Sequence, residues 1–252
     1  MRVTILERPT PLTAKAFEAH LQKEFERLKG DLAASVKLDD FSRSGWARVA
    51  ITGEDAEIMT ELISNKFGLA ASKPEDITVP GTHQTEIIGI NEANLQLEIG
   101  VESRNLRCMI PSTHLTAQLA DGKAMQVKQL VDYYCLYPSV RISARVTSTF
   151  PHGLEAWLSD QYIANLTNWV TTGLDRILVF DCYKDEAEAA VLRAHLHRDV
   201  VAIESITLTL QSITCKLGTD AVGLIPKLGH VLRKQRLAPF LPKRILDRCR
   251  PW

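Results

Sequence analysis

The sequence predicts an α+β protein built from three modules. Strand-like and helix-like periodicities follow the order strand, helix, strand, strand, helix at both ends of the chain, and a stretch of short strands joined by polar turns lies between them. The chain's 252 residues leave room for two or three bodies, each with its own core. Apolar residues make up 45% and charged residues 24%, which places the chain in the folded, globular range.

The first module is expected over residues 1–75. RVTIL reads as a strand. A helix from about Thr13 to Leu28 puts Phe17, Leu21, Phe25 and Leu28 on one stripe, and Gly30 follows its end. SVKLDDF and WARVAIT read as two strands, with the Ser-Gly pair of FSRSG suited to a hairpin turn. A second helix from about Glu54 carries Ile58, Leu62, Ile63 and Phe67, with Gly68 just past it as a C-terminal stop. That order is most of a ferredoxin-like split unit, in which helices cover one face of a small antiparallel sheet.

The middle module is expected over residues 76–148, after the linker-like SKPEDITVPG. HQTEIIGI, LQLEIGV and LRCMI are short strands separated by NEAN and ESRN. A polar, helix-capable stretch follows, STHLTAQLADGKAMQVKQLVDYY, and VRISARV then returns to strict alternation. This is the order of an OB-like β-barrel, with a further strand expected around Ala124 to Val127. The last module, residues 149–252, opens with a helix expected from Leu154 to Thr172, whose apolar face holds Trp157, Leu158, Leu166, Trp169 and Val170. RILVFD, DEAEAAVLRAHL, VVAIES, TLQSITCK and a helix over Asp220 to Leu232 repeat the first module's order. The predicted architecture is two ferredoxin-like βαββα units flanking an inserted OB-like barrel.

Charge is balanced overall but not along the chain. Lys227, Arg233, Lys234, Arg236, Lys243, Arg244, Arg248 and Arg250 face one acid, Asp247, so the tail from Lys227 onward carries +7 and the rest of this net-neutral chain −7. Such a tail suits a phosphate backbone or an acidic protein surface, and its interleaved Leu232, Leu237, Phe240, Leu241, Ile245 and Leu246 suit docking on the protein's own body. Five scattered cysteines without a CxxC pair fit buried thiols in a reducing compartment, against a disulfide framework or a zinc ribbon. MRVTILERPTP has too short an apolar run for a signal peptide and no stretch is long enough to span a membrane, so a cytoplasmic protein is expected.

The segment CKLGTDAVGLIPKLG raises the question of a phosphate cradle, because a glycine between a strand and a helix often builds one. Gly218 and Gly223 have P-loop spacing, yet Leu224 and Ile225 stand where a lysine and a hydroxyl are needed. Asp220 would place a carboxylate at the helix start, where it caps amides and repels phosphate. The expected reading is a capped structural turn. His195 and His197, two residues apart at a helix end, face different ways and form no metal pair. No GxSxG elbow is present, so no catalytic residue, metal or cofactor is expected.

Binding surfaces remain. In the barrel Arg104, Arg107, His114, Lys123 and Lys128 sit where loops or a strand face would present them, and Tyr133, Tyr134 and Tyr137 cluster before the return strand. In the tail Arg233, Lys234, Arg236, Lys243 and Arg244 are the candidate nucleic-acid contacts. The expectation is a non-enzymatic factor binding RNA or a ribonucleoprotein. The alternatives are an adaptor docking on a large machine such as RNA polymerase or a ribosomal subunit, and an enzyme with a site between the two α+β units. The blocks ITCKLGTDAVGLIPKLG, IIGINEANLQLEIGVESRNLRCMIPSTHL and TELISNKFGLA resemble an archaeal family of conserved cytoplasmic proteins of unknown function, the DUF2110-like family. The resemblance runs over nearly the whole chain, with CKLGTDAVGLIP its most specific piece. It implies a middle barrel similar to RNA-binding barrels and an information-processing setting such as transcription or the ribosome, and it transfers no catalytic residue.

Overall fold

A computed structural model describes residues 1–150 and 153–249, a mixed α+β protein in which the chain forms two compact units. Arg250, counted in the tail's charge, lies outside the described residues.

The first unit comprises Met1–Thr78 with Ile99–Leu106. Strands β1 (Arg2–Thr4), β2 (Ala34–Phe41) and β3 (Ala47–Gly53) form an antiparallel sheet in the order β1-β3-β2, the order of a split βαββα unit. Helix α1 (Phe17–Lys29) starts four residues after the expected Thr13, because Thr13 is engaged in the preceding turn, its Oγ1 accepting from the Thr10 amide at 2.9 Å. Of the expected stripe, Phe17, Leu21 and Phe25 are buried and Leu28 is half-buried. In α2 (Ala56–Phe67) the buried face is Met59, Ile63 and Phe67, while the expected Ile58 is 51% exposed. Met59, Ile63 and Phe67 lie four residues apart and form one tighter row. Phe25 and Phe67 meet edge to face at 5.8 Å, and Glu24 of α1 pairs with Lys66 of α2. Gly53 closes β3 at φ +117°, where a Cβ would lie 2.2 Å from the Ala33 carbonyl oxygen.

The second unit comprises Val79–Glu98 and residues 107 onward. Its barrel consists of β4 (Gly81–Ile90), β5 (Asn94–Ile99), β6 (Leu106–Pro111), β7 (Arg141–Phe150) and β8 (Gly153–Leu158), closed in the order β4-β5-β6-β8-β7. Strands β6 and β8 run parallel, β7 pairs antiparallel with both β4 and β8, and helices α3 (Ser112–Leu119) and α4 (Val127–Tyr134) bridge β6 to β7. That is a five-stranded Greek-key barrel of OB type. Residues 124–126 are loop and Val127 opens α4, so the strand expected there is absent. The closing strand is Gly153–Leu158, a segment whose apolar residues had fitted a helix from Leu154. The ambiguity is physical: Leu154 and Leu158, four apart, share a side in a strand as well as in a helix, and the buried Ala156 between them decides for the period of two. Helix α5 (Asp160–Thr171) begins only after Ser159, whose Oγ accepts from the Tyr162 amide at 3.2 Å.

Strands β9 (Arg176–Phe180), β10 (Val200–Thr207), β11 (Leu210–Cys215) and β12 (Leu237–Phe240) make an antiparallel sheet ordered β10-β11-β9-β12. Helices α6 (Lys184–Arg193) and α7 (Ala221–Val231) cover one face through Ile177, Val179, Ile213, Cys215, Ala190, Leu224 and Leu228. With β12 this is a complete ferredoxin-like unit, one strand more than the sequence order predicts. The extra strand comes from the basic tail: Phe240 is fully buried and meets Trp169 of α5 edge to face at 5.3 Å on the sheet's other face. Helix α8 (Pro242–Arg248) then packs on α5 and α4 through Ile245.

Candidate nucleic-acid interface

The alternation of β5 and β6 sends Leu95, Leu97, Cys108 and Ile110 into the barrel and leaves Gln96 and Arg107 exposed, with Asn94 and Met109 half-buried on the same outer face. These four, with Ile88 of β4 and Gly153 of β8, line a groove of about 150 Å³. Two glycines lie at its border. A Cβ at Gly89 would lie 2.8 Å from Gln96 Oε1, and one at Gly153, where φ is +152°, 3.0 Å from the Arg107 carbonyl oxygen. The adjoining β4–β5 turn is pinned by Asn91, whose Oδ1 accepts from the Ala93 and Asn94 amides at 2.9 and 2.8 Å. Asn94 Nδ2 donates weakly to Met109 Sδ at 3.9 Å, and Asn94 Oδ1 is buried without a hydrogen-bond partner. In OB barrels generally this outer face of the second and third strands, with the neighbouring turns, receives oligonucleotides and oligosaccharides.

Arg107 is the predicted contact that lines this groove. Arg104 lies in the Ile99–Leu106 segment of the first unit, Lys123 in the loop between α3 and α4, and Lys128 on the exposed side of α4. Arg233 and Lys234 are exposed in the turn between α7 and β12, and Lys243 is exposed on α8. Arg236 and Arg244 are engaged. The Arg236 guanidinium sits 3.8 Å above the Tyr137 ring and 5.3 Å from that of Phe180, and Arg244 lies 4.6 Å over Tyr133. Tyr137 donates to Asp132 Oδ1 at 2.9 Å, and burial together with that carboxylate pushes its phenol up to about 12. Tyr134 donates to the Leu119 carbonyl at 2.7 Å. The tyrosine cluster thus fastens the tail and braces the helical connection. His114 stacks on Trp157 at 3.7 Å, its Nδ1 3.3 Å from the Ala156 oxygen, against the β8 side of the barrel.

Asn94, Gln96, Met109 and Ile88 were not singled out by the sequence, since two amides and two apolar residues on short strands read as ordinary solvent and core positions. The alternation LQLEI held the available signal, because it turns Gln96 away from the barrel interior.

The CKLGTDAVGLIPKLG turn is closed to phosphate. Asp220 Oδ1 and Oδ2 accept from the amides of Val222 and Gly223 at 3.0 and 3.1 Å, and Asp175 Oδ2 accepts from Ala221 at 3.1 Å, so carboxylates occupy the first amides of α7. Burial, opposed by the Ala221 bond and aided by Asp220, raises the Asp175 carboxyl above its ordinary value. All five cysteines are buried and free; burial pushes the Cys108, Cys135 and Cys182 thiols up to about 12 and that of Cys215 to about 11. Among the described residues no helix is long and apolar enough to cross a membrane.

The fold therefore defines a class: a protein that joins an OB-type barrel to a ferredoxin-like unit within one compact body. Residues 174–238 match the DUF2110 C-terminal domain, a family of unknown function, and this segment contains the CKLGTDAVGLIP block. No curated protein matches the chain in sequence. Solved structures to which the chain is similar include the a/eIF2alpha-aDim2p-rRNA complex from Pyrococcus horikoshii OT3, at 12% identity and a TM-score of 0.26 over 49% of this chain and 70% of that one. Another is the intact alpha subunit of aIF2 from Pyrococcus abyssi, at 9% identity and a TM-score of 0.26 over 67% of this chain and 98% of that one.

Proposed function

We propose that this protein is a non-enzymatic factor that binds single-stranded RNA, free or exposed in a ribonucleoprotein such as the ribosome or the transcription machinery. The observation that carries the reading is the open groove on β5 and β6, where an exposed arginine stands among amide and thioether side chains on the face by which OB barrels take oligonucleotides. Arg107 supplies charge and planar donors, and Asn94 and Gln96 supply hydrogen bonds. Arg233, Lys234 and Lys243 add screened, sequence-independent attraction from the exposed part of the tail. Arg236 and Arg244 serve the fold instead.

The test is a fluorescence-anisotropy titration of a labelled mixed-sequence oligoribonucleotide with the full chain, wild type against Arg107→Glu. Loss of the arginine is expected to weaken binding by about fivefold to 150-fold, the range for a specific arginine contact, with no change in thermal unfolding. An unaltered isotherm for Arg107→Glu would remove the groove from the reading. A second reading, a protein-docking adaptor, has one observation in its favour. Leu217 in the β11–α7 turn is 80% exposed and Val222 in the first turn of α7 is 48% exposed, apolar side chains of a kind suited to a protein surface. It gains if a protein partner survives nuclease and high salt on affinity purification and is lost with Leu217→Asp.

A further inference from the structure

We infer that the second compact unit carries a binding pocket for a small organic acid, a single carboxylate on an aromatic or branched aliphatic body; this stands independently of the RNA-binding reading. The pocket has a volume of about 250 Å³ and draws its walls from both the barrel and the C-terminal sheet. Helical spacing turns Tyr162, Asn165, Leu166 and Trp169 of α5 to one side, where they line the cavity with Leu178 of β9 and Ile206 of β10. The end of α4 and the start of β7 complete the lining through Tyr134, Cys135, Val140 and Arg141. The aromatic wall is fixed in advance. The Arg176 guanidinium lies 4.6 Å over the Trp169 ring, and Phe240 meets that ring edge to face at 5.3 Å. A wall already held in place loses little conformational freedom when a ligand arrives.

The polar groups of the lining set the ligand's chemistry, because those still available are mainly donors. Tyr134 donates to the Leu119 carbonyl at 2.7 Å and the Cys135 thiol to the Pro239 carbonyl at 3.5 Å, so both offer the cavity apolar surface. Asn165 Oδ1 accepts from Gln161 Nε2 at 3.1 Å, which leaves the donors of its amide; it and Asn168 are exposed at the mouth. Burial raises the Tyr162 phenol above its ordinary value, so it stays protonated and able to donate. Arg141 brings a cation, and among the described residues that line the cavity there is no carboxylate. Glu86 stands opposite Arg141 across the β4–β7 pair, and a guanidinium with five N–H donors serves a neighbour and a ligand together. The matching ligand is rich in acceptors and singly negative. A carboxylate is both, with two coplanar oxygens suited to an arginine, whereas an ammonium group would meet donors and a like charge. Leu166, Leu178, Val140 and Ile206 take an apolar body behind that head. The volume falls below the roughly 300–1,000 Å³ of drug-sized pockets, which limits the body to one or two rings.

The experiment titrates the full chain by isothermal calorimetry with phenylacetate and isovalerate, and with phenylacetamide and phenethylamine as neutral and cationic counterparts of the aromatic acid. Wild type is expected to bind at least one of the two acids, and phenylacetate at least about tenfold more tightly than phenylacetamide, the scale of one charge-assisted hydrogen bond. Phenethylamine should give no binding heat. The bound acid should also raise the unfolding midpoint with its concentration. Arg141→Gln keeps a polar side chain without the charge, and is expected to bring the acid down to the affinity of the amide. Ile206→Trp fills the cavity from a half-buried position on an edge strand; it is expected to lose acid binding while its own unfolding midpoint stays within about 2–4 °C of wild type. Equal affinity for phenylacetate and phenylacetamide, no binding of either acid at millimolar concentration, or wild-type binding by Ile206→Trp overturns the inference. The comparison of acid with amide uses wild type alone, so it decides the matter even where Arg141→Gln fails to fold.

Discussion

Replacing Arg236 with alanine separates a structural tail from a nucleic-acid arm. By charge and position this residue belongs with Arg233 and Lys234, yet its guanidinium lies 3.8 Å above Tyr137 and 5.3 Å from Phe180, both within the reach of a cation–π contact. The side chain is exposed, so each contact falls at the weak end, about 0.5–1 kcal/mol, and the nearer ring carries most of it. Its backbone carbonyl accepts from the Phe180 amide at 3.0 Å, a bond that alanine keeps. The expected cost is therefore about 1 kcal/mol, or about 2–4 °C in the unfolding midpoint of a protein this size. A double-mutant cycle with Tyr137→Leu, read by urea unfolding, should return a coupling of that order, because the two residues touch. RNA affinity and its salt dependence should stay at wild-type values, since no phosphate contact is lost. An unchanged midpoint together with a shallower salt slope would refute the reasoning and return Arg236 to the RNA.

Two further changes probe the fold. Phe240→Ala empties a fully buried site on β12 and removes the edge contact with Trp169; it is expected to cost about 3–5 kcal/mol, measured by denaturant unfolding, whereas a loss under about 1 kcal/mol would mean the tail strand adds little. Glu24→Gln tests a pH window. Burial pulls the Glu24 carboxyl up, but Lys66 and Arg27 together hold it below its ordinary 4.5, so its contribution is present above that pH and is lost as pH falls through the lower folded value. The variant should be less stable than wild type at neutral pH, by no more than about 1 kcal/mol, and equal to it in acid; a difference that persists in acid would point to packing instead.

Much of the fold could be read from the chain. Phe17, Leu21 and Phe25 announce α1, and the alternation of VRISARV announces β7, because backbone periods of 3.6 and 2 write themselves into side-chain patterns. The segment Leu154–Leu158 could not be read, since spacing by four satisfies both periods and only its neighbours β6 and β7 make it a strand. Tail strand β12 escaped for a similar reason: LAPF is four residues long and holds a proline, and its pairing with β9 is a contact across about sixty residues.

For the candidate interface the division is sharper. Sequence alone determined which residues carry charge, that CKLGTDAVGLIP lacks the lysine and hydroxyl of a P-loop, and that the chain alternates modules. Tertiary structure decided which of those charges are available. Arg236 and Arg244 are drawn onto tyrosines more than ninety residues earlier, while the pairing of two strands puts Arg107 into one groove with Gln96 and Asn94. Side-chain identity is local, whereas the partner that a charge finds depends on which distant segments the closure of a barrel and a sheet brings within a few ångströms, and no local pattern encodes that.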